Sequence, residues 1–179
     1  TSGVLVAAKN QHAYLHLARQ ASERHFERRY LALVAGEFPE DRGTVNASLG
    51  RSLVDPSRMA VTGVNAKTAI THFETLERFG IACLVRLTLE TGRTHQIRVH
   101  MRFAGHPIFG DPVYGTCNYD TPGVSEELLS ALMRLEGQAL HAEKLGFTHP
   151  VSGEWLTFVS SPPEDFQNAL KALRLFKKE

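Results

Sequence analysis

A change of period between residues 81 and 105 constrains this chain most. Ile81, Cys83, Val85, Leu87 and Leu89 alternate with other side chains, the pattern of a strand with one buried face. Ile97, Met101 and Ala104 then recur at helical spacing, and Gly105 followed by Pro107 stops the helix. The stretch between, Glu90-Thr91-Gly92-Arg93-Thr94-His95-Gln96-Ile97-Arg98-Val99-His100, therefore sits where a strand turns into a helix. Gly92 lets the backbone turn sharply and bring polar groups close to a ligand. His95, Arg98 and Arg102 fall at i, i+3 and i+7, on one side of the expected helix. An arginine held in this way can grip a carboxylate or a phosphate with a planar fork. The same pattern also suits a structural ion pair flanked by solvated basic side chains.

The rest of the chain bounds what such a junction could serve. Its 179 residues fit one domain, 1–179, with a substantial core. The formal net charge of +1 makes whole-molecule attraction to a polyanion weak, so RNA binding would need local clusters of Lys and Arg. Cys83 and Cys117 are too few for a disulfide scaffold or a zinc knuckle; Cys83 is expected in the core, and reduced thiols suit a cytoplasmic protein. No apolar run reaches membrane-spanning length, so no membrane partner is expected. His12 and His16 have a metal-compatible i, i+4 spacing, but no further ligands complete a set, and no metal is expected.

In chain order, 3–8 reads as a short buried strand. Asn10 caps a helix to about Glu23, with Tyr14, Leu17, Ala18 and Ala21 on its inner face. A strand covers 30–36, with Tyr30, Ala32 and Val34 on one side. Residues 38–58 read as a loop with a basic lean from Arg42, Arg51 and Arg58. A second alternating run, 65–75, makes an antiparallel hairpin with 81–89 through a turn at 77–80. Residues 105–115 form a structured Gly/Pro loop in which Asp111, followed by Pro112, reads as turn chemistry rather than as a substitute nucleophile. A surface loop at 118–125 leads to a helix at 126–135. Strands at 140–147 and 154–159 follow, then a helix after Pro162-Pro163 that buries Phe166, Ala169, Leu170 and Leu173 and ends near Lys177 and Lys178. Locally paired strands with interspersed helices argue for an α+β fold.

The junction residues closely resemble the signature of the RluA-type pseudouridine synthases. Further matches keep that family's order: 1–9, 29–36, Gly105-His106-Pro107-Ile108-Phe109-Gly110-Asp111, Leu140-His141-Ala142, and Phe147-Thr148-His149-Pro150 with Ser152-Gly153-Glu154. The resemblance covers nearly the whole chain. It implies a mixed, mostly antiparallel sheet bent around a central cleft, with flanking helices. It implies isomerisation of uridine to pseudouridine in structured RNA, ribosomal RNA of the large subunit before transfer RNA, by a cytoplasmic monomer that needs no cofactor. Arg98 would pair with the nucleophilic Asp, and Tyr30 would lie against the target base. Arg93, His95 and Arg102 would contact RNA. In the family that Asp belongs to a His-Arg-Leu-Asp motif two residues before Thr1-Ser2-Gly3. The resemblance therefore implies an N-terminally truncated catalytic domain, inactive by itself. A module that keeps the fold and binds RNA without catalysis is the other reading.

Overall fold

The computed structural model describes residues 1–61, 65–115 and 124–177. Its elements in chain order are β1 (Ser2–Gly3), α1 (Gln11–Ser22), β2 (Glu27–Ala35), β3 (Arg42–Asn46), β4 (Leu49–Arg51), β5 (Met59–Val61), β6 (Ile70–Arg78), β7 (Ala82–Leu89), α2 (Gln96–Phe103), α3 (Glu126–Met133), β8 (Leu140–Thr148), β9 (Trp155–Val159) and α4 (Glu164–Phe176). Seven strands form one sheet in the order β1-β8-β2-β7-β6-β3, with β9 also on β8, and β4 and β5 form a separate two-stranded sheet. The β1–β8 pairing is parallel, and the other pairings in this sheet are antiparallel. This is the expected mixed, mostly antiparallel α+β architecture.

The sheet is most deeply buried where β2 and β7 pair at its middle. Ala32, Leu33 and Val34 face Val85, Leu84 and Cys83, and all six are buried. Consecutive apolar residues suit strands covered on both faces. On α4, Phe166, Ala169 and Leu173 are buried as the helical spacing requires, with Leu170 partly buried beside them. Glu164 and Asp165 lie in its first turn, where carboxylates oppose the helix dipole.

Four local expectations need correction. Residues 3–8 are not a buried strand: pairing ends at Gly3, and Leu5 is 82% exposed. A longer β1 would need the edge of β8 from Lys144 onward, and β9 already holds it. The inner face of α1 is also different. Tyr14, Ala18 and Ala21 are exposed, and Gln20 is the buried residue. Its amide donates to Thr148 O and accepts from Thr148 N, both at 2.8 Å, extending the β8 ladder past the start of β2. Residues 38–58 are not all loop, because β3 pairs with β6 and β4 with β5. Finally, the strand expected from 65 begins at Ile70 and runs to Arg78, so the hairpin turn falls at 79–81. Cys117, Lys178 and residues 118–123 of the expected surface loop lie outside the described residues.

Candidate active site

The strand-to-helix junction is closed by one hydrogen-bond network. Thr91 Oγ1 accepts from Ile70 N and donates to Gln96 Oε1, which also accepts from Arg93 N. Gln96 Nε2 donates to Ile70 O and Thr71 Oγ1. Thr71 Oγ1 is 2.8 Å from His100 Nδ1, and His100 Nε2 is 2.9 Å from the Ala47 carbonyl. A carbonyl only accepts, so Nε2 carries the ring proton and Nδ1 accepts from Thr71. His100 is fully buried, and burial holds its pKa below the ordinary histidine value against the pull of the Ala47 contact. These hydrogen bonds fasten α2 to β6 and to the Ala47 carbonyl, beside the apolar cluster that holds Ile97, Met101 and Phe73.

Arg98 and Asp111 form the centre of the site. Arg98 Nε lies 2.7 Å from Asp111 Oδ2, and Nη2 lies 2.6 Å from Oδ1. Oδ1 also accepts from Val113 N and Tyr114 N, at 2.9 and 3.0 Å. The expected turn chemistry at Asp111 is present, and it carries an ion pair as well. Burial pushes the Asp111 carboxyl up, but Arg98 and the two backbone N–H groups outweigh it and hold it below the usual carboxylate range. The hydrogen bond to Asp111 raises the Arg98 pKa in turn. The Arg98 guanidinium lies 4.8 Å from the centre of the Tyr114 ring. Tyr114 Oη accepts from Met59 N and is 2.9 Å from His95 Nδ1.

The five named site residues are placed differently. Arg98 is buried in α2. His95 precedes the helix in left-handed backbone, φ 55°, and its side chain is exposed. Partial desolvation of its ring lowers its pKa and the Arg98 charge adds to this, with Asp111 opposing. Arg93 is exposed, with Nε donating to Thr68 O. Arg102 is exposed and donates to Tyr114 O at 3.4 Å. Together with their neighbours they edge two grooves. One, of about 460 Å³, is lined by Arg51, Lys67, Arg93 and His95; the other, of about 440 Å³, by Arg58, Arg102 and Tyr114.

Tyr30 stands on β2, and its register joins it to the same face of the sheet. Tyr30 pairs with Leu87, Leu87 with Phe73, and Leu89 with Thr71. Paired residues share a face, and Thr71 is the residue that Gln96 and His100 reach from α2. Tyr30 is therefore on the α2 side. Burial raises its phenol pKa, with Arg28 opposing. Roles for Gln96, His100 and Tyr114 are not legible in the sequence, because the contacts to Thr71, Ala47, Met59 and His95 span 19 to 55 residues.

The sequence pattern described as RNA pseudouridylate synthase matches residues 1–103. The chain belongs to that family. Among curated relatives it is 47% identical over 174 residues to ribosomal large subunit pseudouridine synthase D of Nitrosomonas europaea, covering 97% of this chain and 48% of the relative. It is 43% identical over 174 residues to the uncharacterised RNA pseudouridine synthase YlyB of Bacillus subtilis, covering 97% and 53%. The chain thus spans about half the length of these relatives. Among solved structures, human RNA pseudouridylate synthase domain containing 4 superposes with a TM-score of 0.71 at 25% identity, over 92% of this chain and 69% of that one. Human RNA pseudouridylate synthase domain containing 1 gives 0.66 at 28% identity, over 93% and 73%.

Proposed function

We propose that this pseudouridine synthase domain isomerises specific uridines in structured RNA, with large-subunit ribosomal RNA as the target. The reaction breaks the bond from ribose to the pyrimidine nitrogen, turns the base and rejoins it through carbon. It requires a carboxylate aimed at the sugar, a surface for the freed base and an acceptor for the proton lost from carbon. The observation that carries the proposal is the register placing Tyr30 on the sheet face that α2 covers, the helix that holds Arg98.

Asp111 is not the nucleophile in this proposal. Its oxygens already accept four hydrogen bonds, and its side chain is fully buried. The reactive carboxylate in this proposal is a second one, brought to the free edge of Arg98. A guanidinium carries five N–H donors and Asp111 takes two, so Arg98 can hold a second carboxylate on its outer edge while Asp111 fixes its plane. The Arg98 charge would keep that carboxylate ionised. Tyr30 packs on the base and assists removal of the proton. Arg93, His95 and Arg102 contact the RNA backbone along the two grooves. A base inside a stem must leave its stack to reach this face, at a cost of a few kcal/mol, which favours loops and distorted stems.

The test is tritium release from ribosomal RNA labelled at carbon 5 of uridine, using the complete protein. Release is expected from the complete protein and not from residues 1–179 alone. RNA bound without release by the complete protein would overturn the catalytic reading in favour of a non-catalytic RNA-binding module.

A further inference from the structure

Arg28 is a partly buried cation without a counter-ion among the described residues. Of the arginines in the described residues, Arg28 and the exposed Arg134 alone lack a side-chain hydrogen bond or ion pair. The others donate to a carboxylate or a carbonyl, as Arg24 does to Glu90, Arg29 to Glu27 and Arg51 to Pro56 O. Arg28 differs from Arg134 in being partly buried, and among the described residues its Nε is enclosed with no hydrogen-bond partner. Burial lowers its pKa. A partly buried charge without a counter-ion carries a cost, and an anion from outside the described residues would relieve it.

Its position says which anion. Arg28 is two residues before Tyr30 on β2, so both side chains project from the α2 face of the sheet. The guanidinium lies over the backbone of Gly92 in the junction: a Cβ at Gly92 would meet Arg28 Nη1 at 2.3 Å. Strand alternation sends the neighbouring Glu27 to the opposite face, where Arg29 and Lys144 hold it. Glu90, two residues before Gly92, is taken by Arg24 and His72. The Arg28 charge acts on the Tyr30 phenol, opposing the effect of burial there. The Phe26 ring, 5.9 Å from the guanidinium carbon, lies beside the cation without neutralising it.

We propose that Arg28 is a phosphate-binding residue of the site, holding the backbone phosphate of the nucleotide whose base lies against Tyr30. The proposal rests on the RNA-modifying reading above. It gives the site two arginines with separate duties. Arg98 is committed to carboxylates inside the protein, and Arg28 is open to RNA. Gly92 serves the second duty by leaving room for the guanidinium, in addition to its part in the turn.

The test uses the complete protein and a large-subunit ribosomal RNA transcript carrying tritium at carbon 5 of uridine. Filter binding across a salt series and single-turnover tritium release at saturating RNA are measured for wild type, Arg28→Gln, Arg28→Lys and Gly92→Ala. Arg28→Gln is expected to weaken binding about tenfold, the scale of one charge-assisted hydrogen bond. The slope of log affinity against log salt should become shallower by about 0.7, one phosphate contact fewer on a single strand. Arg28→Lys should restore the slope. Gly92→Ala, which displaces the guanidinium while keeping the charge, should weaken binding without that change in slope. An unchanged slope in Arg28→Gln, or a slower rate at saturation with unaltered affinity, overturns the proposal. If wild type binds the transcript and releases no tritium, the functional reading fails instead, and the salt slopes still decide whether Arg28 meets phosphate.

Discussion

The helices α1 and α2 stand in opposite relation to their local signals. α1 is the longer, 12 residues against 8, and Asn10 caps it by accepting from Ala13 N. α2 follows a left-handed His95 and has no side-chain cap. Yet α2 buries six consecutive residues, Gln96 to Met101, whereas α1 buries Gln20 alone and leaves Tyr14 and Leu15 more than half exposed. Helix formation and anchorage are therefore separate matters in this molecule. A cap helps a helix form; cross-chain hydrogen bonds and an internal ion pair hold one still enough to aim a guanidinium.

The sharpest way to break the contrast is to take away the ion pair that α2 depends on. Asp111→Ala leaves Arg98 enclosed without its partner and should cost about 3–5 kcal/mol in urea unfolding. Acid should act in the same direction. Asp111 is held below its unfolded value of about 3.9, so its contribution is present above that pH and lost as pH falls through the folded value. His100 is likewise held below its unfolded value of about 6.5, so its contribution is complete above that pH and declines as the medium becomes more acid. Amide exchange should report loosening of α2 below about pH 6.5, with the dependence reduced in His100→Gln.

Arg98→Lys keeps the charge and loses the planar fork. In the complete enzyme it should cut the single-turnover rate at saturating RNA about 100-fold, the scale of a misplaced reacting group. A wild-type rate with only a raised dissociation constant would make Arg98 a phosphate contact.

On the other helix, Gln20→Ala removes both hydrogen bonds to Thr148 and should cost about 1–2 kcal/mol. The loss of exchange protection should be confined to α1 and the end of β8, and catalysis should persist. Arg102→Lys, at an exposed position whose donor reaches Tyr114 O at 3.4 Å, should weaken RNA binding a few-fold and leave stability within about 0.5 kcal/mol of wild type. Equal effects of Gln20→Ala and Asp111→Ala on the rate would erase the distinction between the helices.

Much of the junction was legible because its signals are local. The period change, the Gly105 stop and the i, i+3, i+7 spacing lie within 25 residues, and β7, the turn and α2 follow them. The turn role of Asp111 was legible for the same reason, since Asp-Pro is a local pattern. The partner of Arg98 was not, because Asp111 lies 13 residues on, across a Gly/Pro loop whose path no periodicity describes. The strand β3 was missed because its identity comes from pairing with β6, and Gly43 packs under Phe73 rather than marking a break.

The sequence by itself determined the α+β class, the hairpin, the helix that carries Arg98 and the family. These rest on hydrophobic period, turn residues and motif order, all of which act along the chain. Only the tertiary structure decided which charges are answered. Arg98 lies inside a matched motif and Arg28 directly before one, at 29–36, and the sequence shows the counter-ion of neither. One meets a buried carboxylate, while strand alternation carries the nearest acid away from the other. Counter-ions and burial are properties of the space around a side chain, and folding brings that space together from distant residues.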